Sequence, residues 1–485
     1  MKSARAAEAG GETHPGLPRE YRTESGRVGV GAANCSSSQD NPLPATDSMM
    51  ELVVARDNMT RARQRVCANK GAPGIDGRTT EDLKTLSREH WSLIRNKLLS
   101  GTYRPDPVKR VEIPKPNGGT RLLGIPTVMD RLIQQAICQI LTPVFDPLFS
   151  DHSYGFRPGR SARQAVLSAQ RFQRDGRRFV VDMDLKAFFD EVNHDILMGL
   201  IRRRISDAAL LKVIRGYLNA GILTGGVVQV PEKGTPQGGP LSPLLSNILL
   251  NELDRELERR GHCFCRYADD CNIYVRTRRS GERVLHSIAA FIEQRLKLKV
   301  NWEKSAVARP GSRKFLGFTF IGPRGIIRPS QQARDRFKQR VRELCRRGRG
   351  RKMEWFIRYD LNPFLRGWFN YYRTSEQMKS FCATMDEWIR HRLRNIVWRQ
   401  WKRPWTRRCN LMALGLDEER AVRSAFNKRG PWFNSGASHT NEALPLRYFD
   451  QLGLFSLLHH WTKQNESTIG TAVVRNRTPG GVREG

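Results

Sequence analysis

The sequence predicts an α+β fold, with a sheet that carries clustered aspartates in the first part and an arginine-rich helical part after it. Three observations predict it. Cys263-Phe264-Cys265-Arg266 and Cys271-Asn272-Ile273-Tyr274-Val275 both favour strand, and Tyr267-Ala268-Asp269-Asp270 between them suits a tight turn. Phe179-Val180-Val181-Asp182-Met183-Asp184-Leu185 reads as a buried strand that ends in carboxylates. From Gln331, apolar Ala333, Phe337, Val341 and Leu344 mark one helix face, while Arg334, Lys338, Arg342, Arg346 and Arg347 enrich the rest.

The hairpin tip carries a cost. Two charged carboxylates side by side repel by about 4 kcal/mol at about 4 Å and an effective dielectric near ~20. A divalent cation is the usual offset. For Asp269 and Asp270 alone, a solvated Asp-Asp turn is the bland alternative. The acidic strand changes that balance, because pairing it beside the hairpin brings Asp184, Asp269 and Asp270 to one sheet edge. Such a cluster holds two metal ions about 4 Å apart, the arrangement used for in-line attack at phosphorus.

These residues carry a resemblance. Tyr267-Ala268-Asp269-Asp270 looks like the YxDD motif of reverse transcriptases, and Asp184-Leu185-Lys186-Ala187-Phe188-Phe189-Asp190 is similar to their first palm motif. Gly234-Thr235-Pro236-Gln237-Gly238-Gly239-Pro240-Leu241-Ser242-Pro243 resembles the motif between those two, in matching order and spacing. Within that superfamily the chain resembles the bacterial group II intron-encoded reverse transcriptase, or maturase, from about Met49 to about Trp461. The resemblance implies a right-hand polymerase of fingers and palm over residues 49–328. It implies a helical thumb that doubles as the maturase domain X over 329–408, and a small basic C-terminal helical region that binds nucleic acid over 409–465. Residues 1–48 and 466–485 lack an apolar period and read as disordered tails.

Composition bounds the same answer. The chain has 485 residues, enough for roughly three domains. Lys and Arg number 83 against 48 Asp and Glu, a net charge of +35 spread along the chain. That excess calls for a polyanionic partner, nucleic acid above all. A basic membrane-surface protein is set aside, because the sequence holds no long apolar span and no amphipathic anchor. Nine scattered cysteines, with no C-x-x-C pair, point to free thiols in a reducing cytoplasm. Residues 1–48 lack the apolar stretch of a secretory signal.

Taken in order, the run Asn69 to Gly77 breaks two helical patterns with Gly, Pro and Asn. It resembles the finger segment that helps hold template RNA. Strand-like runs flank Asn117-Gly118, a strong hairpin signal. Lys115 and Arg121 lie on either side of that turn, and the resemblance implies that they clamp the triphosphate of the incoming nucleotide. Asp130 to Phe149 has helical apolar spacing. The loop Ser153 to Ser161, with its glycines, arginines and aromatics, suits close contact with a template strand. Phe189, five residues after Asp184, matches the family's steric gate against a ribose 2′-OH. Gln237 sits in a loop whose glycines permit close approach to a nucleotide, and its amide can both donate and accept hydrogen bonds. Lys304 matches a lysine near the leaving phosphate and is a candidate general acid; a plain surface lysine is the alternative. Phe315-Leu316-Gly317-Phe318 resembles the primer grip, and Asn362 to Tyr372 looks like the signature of domain X. Arg390, Arg392 and Arg394 open a basic, aromatic run to Trp405 that fits RNA phosphate contacts plus stacking.

The resemblance therefore implies an RNA-directed DNA polymerase that also assists splicing of its intron RNA. Asp184, Asp269 and Asp270 would hold two Mg²⁺ ions, with Mn²⁺ as a substitute; one ion would activate the primer 3′ hydroxyl and the other would bind the triphosphate. The substrates would be dNTPs, and the partners group II intron RNA, an RNA template with a DNA primer, and target DNA. Two alternatives stay open: a splicing-only RNA-binding maturase, and a free-standing enzyme of the retron or defence type, against which the domain X signature argues. No cysteine follows Cys409, so a zinc-dependent HNH endonuclease is not expected. The expected setting is the bacterial cytoplasm, at the nucleoid when acting on DNA, as monomer or homodimer.

Overall fold

The computed structural model describes residues 49–114, 120–224, 227–229, 233–234 and 238–475. In chain order its strands are β1 (Val108–Pro114), β2 (Thr120–Ile125), β3 (Phe179–Met183), β4 (Ile222–Thr224), β5 (Val227–Gln229), β6 (Cys263–Tyr267), β7 (Asp270–Val275), β8 (Ala306–Ala308), β9 (Phe318–Ile321) and β10 (Ile326–Pro329). The sheet expected around the aspartates forms, with order β6-β7-β3-β8. β6 and β7 pair antiparallel from Cys263↔Tyr274 to Tyr267↔Asp270. On the other side of β7, β3 pairs from Phe179↔Val275 to Met183↔Cys271.

Both faces of this sheet are covered, which is why its strands read as almost unbroken apolar runs. One face joins Val181, Met183, Phe264 and Ile273 to helices Ser242–Arg259 and Arg278–Phe291 in the largest core. The other packs Val180, Cys265 and Tyr274 against Phe172, Phe315, Phe318 and Phe320. The expected Asp130 helix is present as Val128–Phe145, with Thr127 accepting from the Asp130 N–H as its cap.

A second sheet has the order β2-β1-β4-β5. β1 and β2 form the expected hairpin, closed by Pro114↔Thr120. Its Asn117-Gly118 turn lies outside the described residues. β4 runs parallel to β1, with Val108↔Ile222. The sequence reading contained neither β4 nor β5, because three-residue strands are too short to show a period.

In the second half, helices Gln331–Arg347, Asn362–Tyr372 and Lys379–Gln400 pack around Phe337, Val341, Leu365, Phe369, Ile389 and Leu393. The C-terminal segment joins this core through Leu444, Phe449, Phe455 and Leu457. Buried Asp386 fastens it by accepting from the N–H groups of Leu457 and Leu458, each at 3.0 Å, and from Ser456 Oγ at 2.7 Å. The boundary drawn at 408/409 is thus not a gap in packing. The last helix, Leu457–Arg475, also continues past the point where a disordered tail was expected at 466. The stretch is polar, but no proline interrupts it before Pro479. No described helix is long and apolar enough to cross a membrane, and the described cysteines are free.

Beneath the β6–β7 turn lies a fully buried ion pair. Arg266 and Asp254 side chains are both 0% exposed. Arg266 Nε and Nη2 donate to the Asp254 carboxylate at 2.7 and 2.6 Å. Its remaining hydrogens go to Asn247 Oδ1 at 3.0 Å, the Ala268 carbonyl at 2.8 Å and Ser153 Oγ at 2.8 Å. All five guanidinium donors are therefore satisfied. Removing the anion alone strands a buried cation, so Asp254→Leu should destabilise the protein by about 3–5 kcal/mol. Arg266→Met added to Asp254→Leu should restore part of that loss in urea denaturation. A double mutant no more stable than Asp254→Leu would show that the pair is not what the turn rests on.

Candidate active site at the sheet edge

Ala268 and Asp269 form the two-residue link between paired Tyr267 and Asp270. Ala268 has φ 57, in the left-handed region that a Cβ disfavours. Arg266 Nη1 holds its carbonyl, and Gly155 backs against it. A Cβ on Gly155 would stand 2.3 Å from the Ala268 nitrogen, so only glycine fits. Asn247 Nδ2 fixes Gly155 by donating to its carbonyl at 2.9 Å. Gly155, in the Ser153–Ser161 loop that was expected to contact the template, therefore buttresses this turn. Arg157 turns inward as well, onto Asp146 Oδ1 at 2.8 Å and the Ser150 and Ser153 carbonyls.

Asp184 reaches the same edge through strand register. Met183 faces Cys271, and one further residue brings Asp184 opposite Asp270. Cross-strand neighbours have Cβ atoms about 4.5–5.5 Å apart. Asn301 Nδ2 donates to Asp184 Oδ2 at 2.9 Å, and the Asp184 N–H donates to Ser305 Oγ at 3.0 Å. Lys304 Nζ is 3.8 Å from Asp184 Oδ2. Asp182, on the same face two residues earlier, pairs with Arg313 Nε at 2.8 Å.

The electrostatics follow from this crowding. Surrounding protein, and then Asp269, Asp182 and Asp184, push the Asp270 carboxyl up to about 7, although part of its side chain reaches water. Burial raises Asp182 too, against the opposing pull of Arg313. Among the described residues no three His, Cys, Asp or Glu side chains close into a metal cage. The aspartates form an open set of hard oxygen donors, which suits a divalent cation, and their repulsion is the cost such an ion relieves.

The other expected site residues divide into several groups. Phe189 is half-buried, with its ring edge-on to Phe188 at 5.1 Å. The Gly234 N–H donates to the Val192 carbonyl at 2.9 Å, which ties the start of the glycine loop to the Phe189 turn. Gln237 and Lys115 lie outside the described residues, and Arg121 is described only as backbone in β2. Phe315 to Phe318 form a tight turn, closed by reciprocal 2.9 Å bonds between the backbones of Phe315 and Phe318. Gly317 at φ 78 lies where any Cβ would meet Tyr372 Oη at 2.6 Å. Phe318 packs on Tyr371 and Tyr372, and Tyr371 Oη donates to the Leu316 carbonyl at 3.0 Å. Sequence reasoning missed this clamp, together with Asn301, Ser305, Arg313 and the Asn247–Asp254 support. An arginine between Cys265 and Tyr267 in an otherwise apolar strand was the one signal for the buried network.

One expected group does not hold together. Arg392 lies between Trp388 and Trp432, at 4.5 and 5.2 Å from the ring centres. Arg394 is buried, with Nε donating to the Leu444 carbonyl at 2.9 Å and its guanidinium over Phe449. Burial, and then Arg390, pull its pKa down to about 10. Arg394 therefore leaves the outward RNA face to which the sequence reading assigned it. Arg390 and Arg394, four residues apart, share a helix side. What covers Arg394 is the C-terminal segment, through the Leu444 carbonyl and the Phe449 ring, a contact between parts of the chain distant in sequence.

Comparison with known proteins adds family information. Residues 113–320 match the family model "Reverse transcriptase (RNA-dependent DNA polymerase)", and residues 334–415 match "Group II intron, maturase-specific domain". The chain is similar to protein YkfC of Escherichia coli (strain K12), at 33% identity over 331 residues, 60% of this chain and 86% of that one. It is similar to group II intron-encoded protein LtrA of Lactococcus lactis subsp. cremoris, at 39% identity over 220 residues, 45% of this chain and 36% of that one. A 91 kDa protein in a cob intron of Schizosaccharomyces pombe is 34% identical over 241 residues, 50% of this chain and 29% of that one. The chain thus spans only about a third of those last two relatives.

The two ends of the arginine run should behave differently. Arg394→Gln should lower stability by about 1–3 kcal/mol, because it leaves the buried Leu444 carbonyl short of its donor. Arg390→Gln should leave the melting temperature unchanged. Equal melting temperatures for both variants would return Arg394 to the surface.

Proposed function

We propose how one chain performs the two activities of the family to which it belongs, the group II intron reverse transcriptases with a maturase domain. It is an RNA-directed DNA polymerase, divalent-metal dependent as that family is, with a maturase domain that binds intron RNA. The finer assignments are the proposal. Asp184, Asp269 and Asp270 are the catalytic, metal-binding set, with Mg²⁺ as the natural ion and Mn²⁺ as a substitute. Bound there, the ions supply Lewis-acid stabilisation of charge on the attacking and leaving oxygens. What supports this reading is a single observation: strand register and the hairpin turn bring three carboxylates to one edge.

The remaining residues bind and orient. Asn301 and Ser305 fix Asp184, and the Arg266 network fixes the turn that bears Asp269 and Asp270. Lys304, exposed and beside Asp184, is the candidate donor of a proton to the leaving pyrophosphate. Lys115, Arg121 and Gln237 bind the dNTP, and the Phe315–Phe318 turn seats the end of the DNA primer on the RNA template. Fingers and palm occupy residues 49–328, and thumb and maturase domain 329–408. Intron RNA and target DNA engage the basic surface after Gln331, with Arg390 and Arg392 among the contacts, in the bacterial cytoplasm. Three aspartates present together favour this over a splicing-only maturase. The maturase-domain match favours it over a free-standing enzyme.

Asp184→Asn or Asp269→Asn should reduce cDNA synthesis on an RNA template to background. Affinity for intron RNA should stay within about twofold, because the basic surface is untouched. Either variant extending primers near the wild-type rate would reject the site.

Phe189→Val should admit ribonucleotides, because it shortens the ring that meets the 2′ hydroxyl. Parallel rNTP and dNTP incorporation measures this; an unchanged preference for dNTPs would remove Phe189 from the role.

A further inference from the structure

A second site lies in the maturase half, where Phe356–Leu361 forms a π-helical turn that runs into Asn362–Tyr372. Pro363 has no N–H to return to the Tyr359 carbonyl, and a widened turn accommodates that loss. Trp355 and Tyr359 stand out from the turn, 45% and 64% exposed, with ring centres 5.2 Å apart. Rings this open contribute little to the core.

Beside them is a cavity of about 340 Å³, lined by Arg358, Tyr359, Asn362, Arg366 and Gly453. Its floor is built. Buried Asn362 donates Nδ2 to the Gly453 carbonyl at 2.7 Å and accepts from the Phe455 N–H at 2.9 Å. Gly453 takes φ 78 there. The rim is cationic. Arg366 is exposed, 5.7 Å from the Phe455 ring centre, and Arg358 reaches Glu354 at 2.9 Å. Arg351 lies 4.5 Å from the Trp355 ring centre.

We propose that this pocket takes an unpaired nucleotide of RNA, its base stacked on Tyr359 and Trp355 and its phosphate held by Arg366 and Arg358. The proposal rests on the maturase reading and gives that reading a local site. Stacking surfaces beside guanidinium groups are the means by which proteins hold single-stranded bases. A paired helix offers phosphates but no free base faces, so it would engage the arginines and leave both rings idle. An acidic protein segment would do the same. None of these residues belongs to the proposed polymerase machinery.

The test uses the full chain and two RNAs, a hairpin with an unpaired loop and a fully paired duplex. Binding is read by fluorescence anisotropy across a salt series. Tyr359→Ala and Trp355→Ala should each weaken hairpin binding about 5- to 100-fold, with duplex binding unchanged. Tyr359→Phe keeps the stacking face and should retain affinity. Arg366→Gln should flatten the log–log salt slope for the hairpin by about 0.7–0.9. Melting temperature and extension of a short primer–template should match wild type in all four. Unchanged hairpin affinity in both alanine variants, or equal losses on hairpin and duplex, would overturn the pocket. Wild-type protein that binds neither RNA would instead overturn the maturase reading beneath it.

Discussion

The site depends on a buried cation. Arg266 sits under the β6–β7 turn with every guanidinium hydrogen directed to an acceptor. Taking an ion pair out of water costs several kcal/mol per ion, and only complete hydrogen bonding recovers that cost. The geometry leaves little freedom. Arg266 ties together Asp254 and Asn247 on one helix, Ser153 on a loop and Ala268 in the turn. A turn with an alanine at φ 57 persists because its surroundings over-determine it.

That rigidity has a purpose at the edge. Asp184, Asp269 and Asp270 oppose one another, and Asp182 adds a further negative charge that Arg313 and, more weakly, Lys314 offset. Left on a flexible loop, such a set would splay apart and lose its geometry. Held from below by Arg266 and from the side by Asn301 and Ser305, it remains open and repulsive. A divalent ion bound there, as proposed, would relieve repulsion already present between the carboxylates and would need little reorganisation of the site.

Much of this was legible in the sequence, and the parts that were not have a common cause. The hairpin, β3 and the Asp130 helix were readable because each carries its pattern locally: an Asp-Asp turn between strand-favouring residues, an apolar run that ends in carboxylates, helical spacing. The short parallel pair β1–β4 was not, since its partners lie more than a hundred residues apart and neither is long enough to show a period. The Ser153–Ser161 loop has the composition of a strand-binding loop, yet Gly155 is glycine because Ala268 presses against it. Composition names the residue type, and only the fold says which neighbour requires it. Arg394 repeats the point: a run of arginines looks like one surface, but the C-terminal segment covers Arg394 through Leu444 and Phe449.

The helix Asn362–Tyr372 joins the two proposed activities. At one end, Asn362 holds Gly453 and Phe455 of the C-terminal segment. At the other, Tyr371 and Tyr372 close on Leu316, Gly317 and Phe318 beside the palm sheet. Its 11 residues span about 15 Å, and an intact helix of that length is stiff. If the chain holds RNA and seats a primer as proposed, one rigid strut lies under both tasks. Tyr371 and Tyr372, the last aromatic residues of the domain X signature, supply that strut's fixed end.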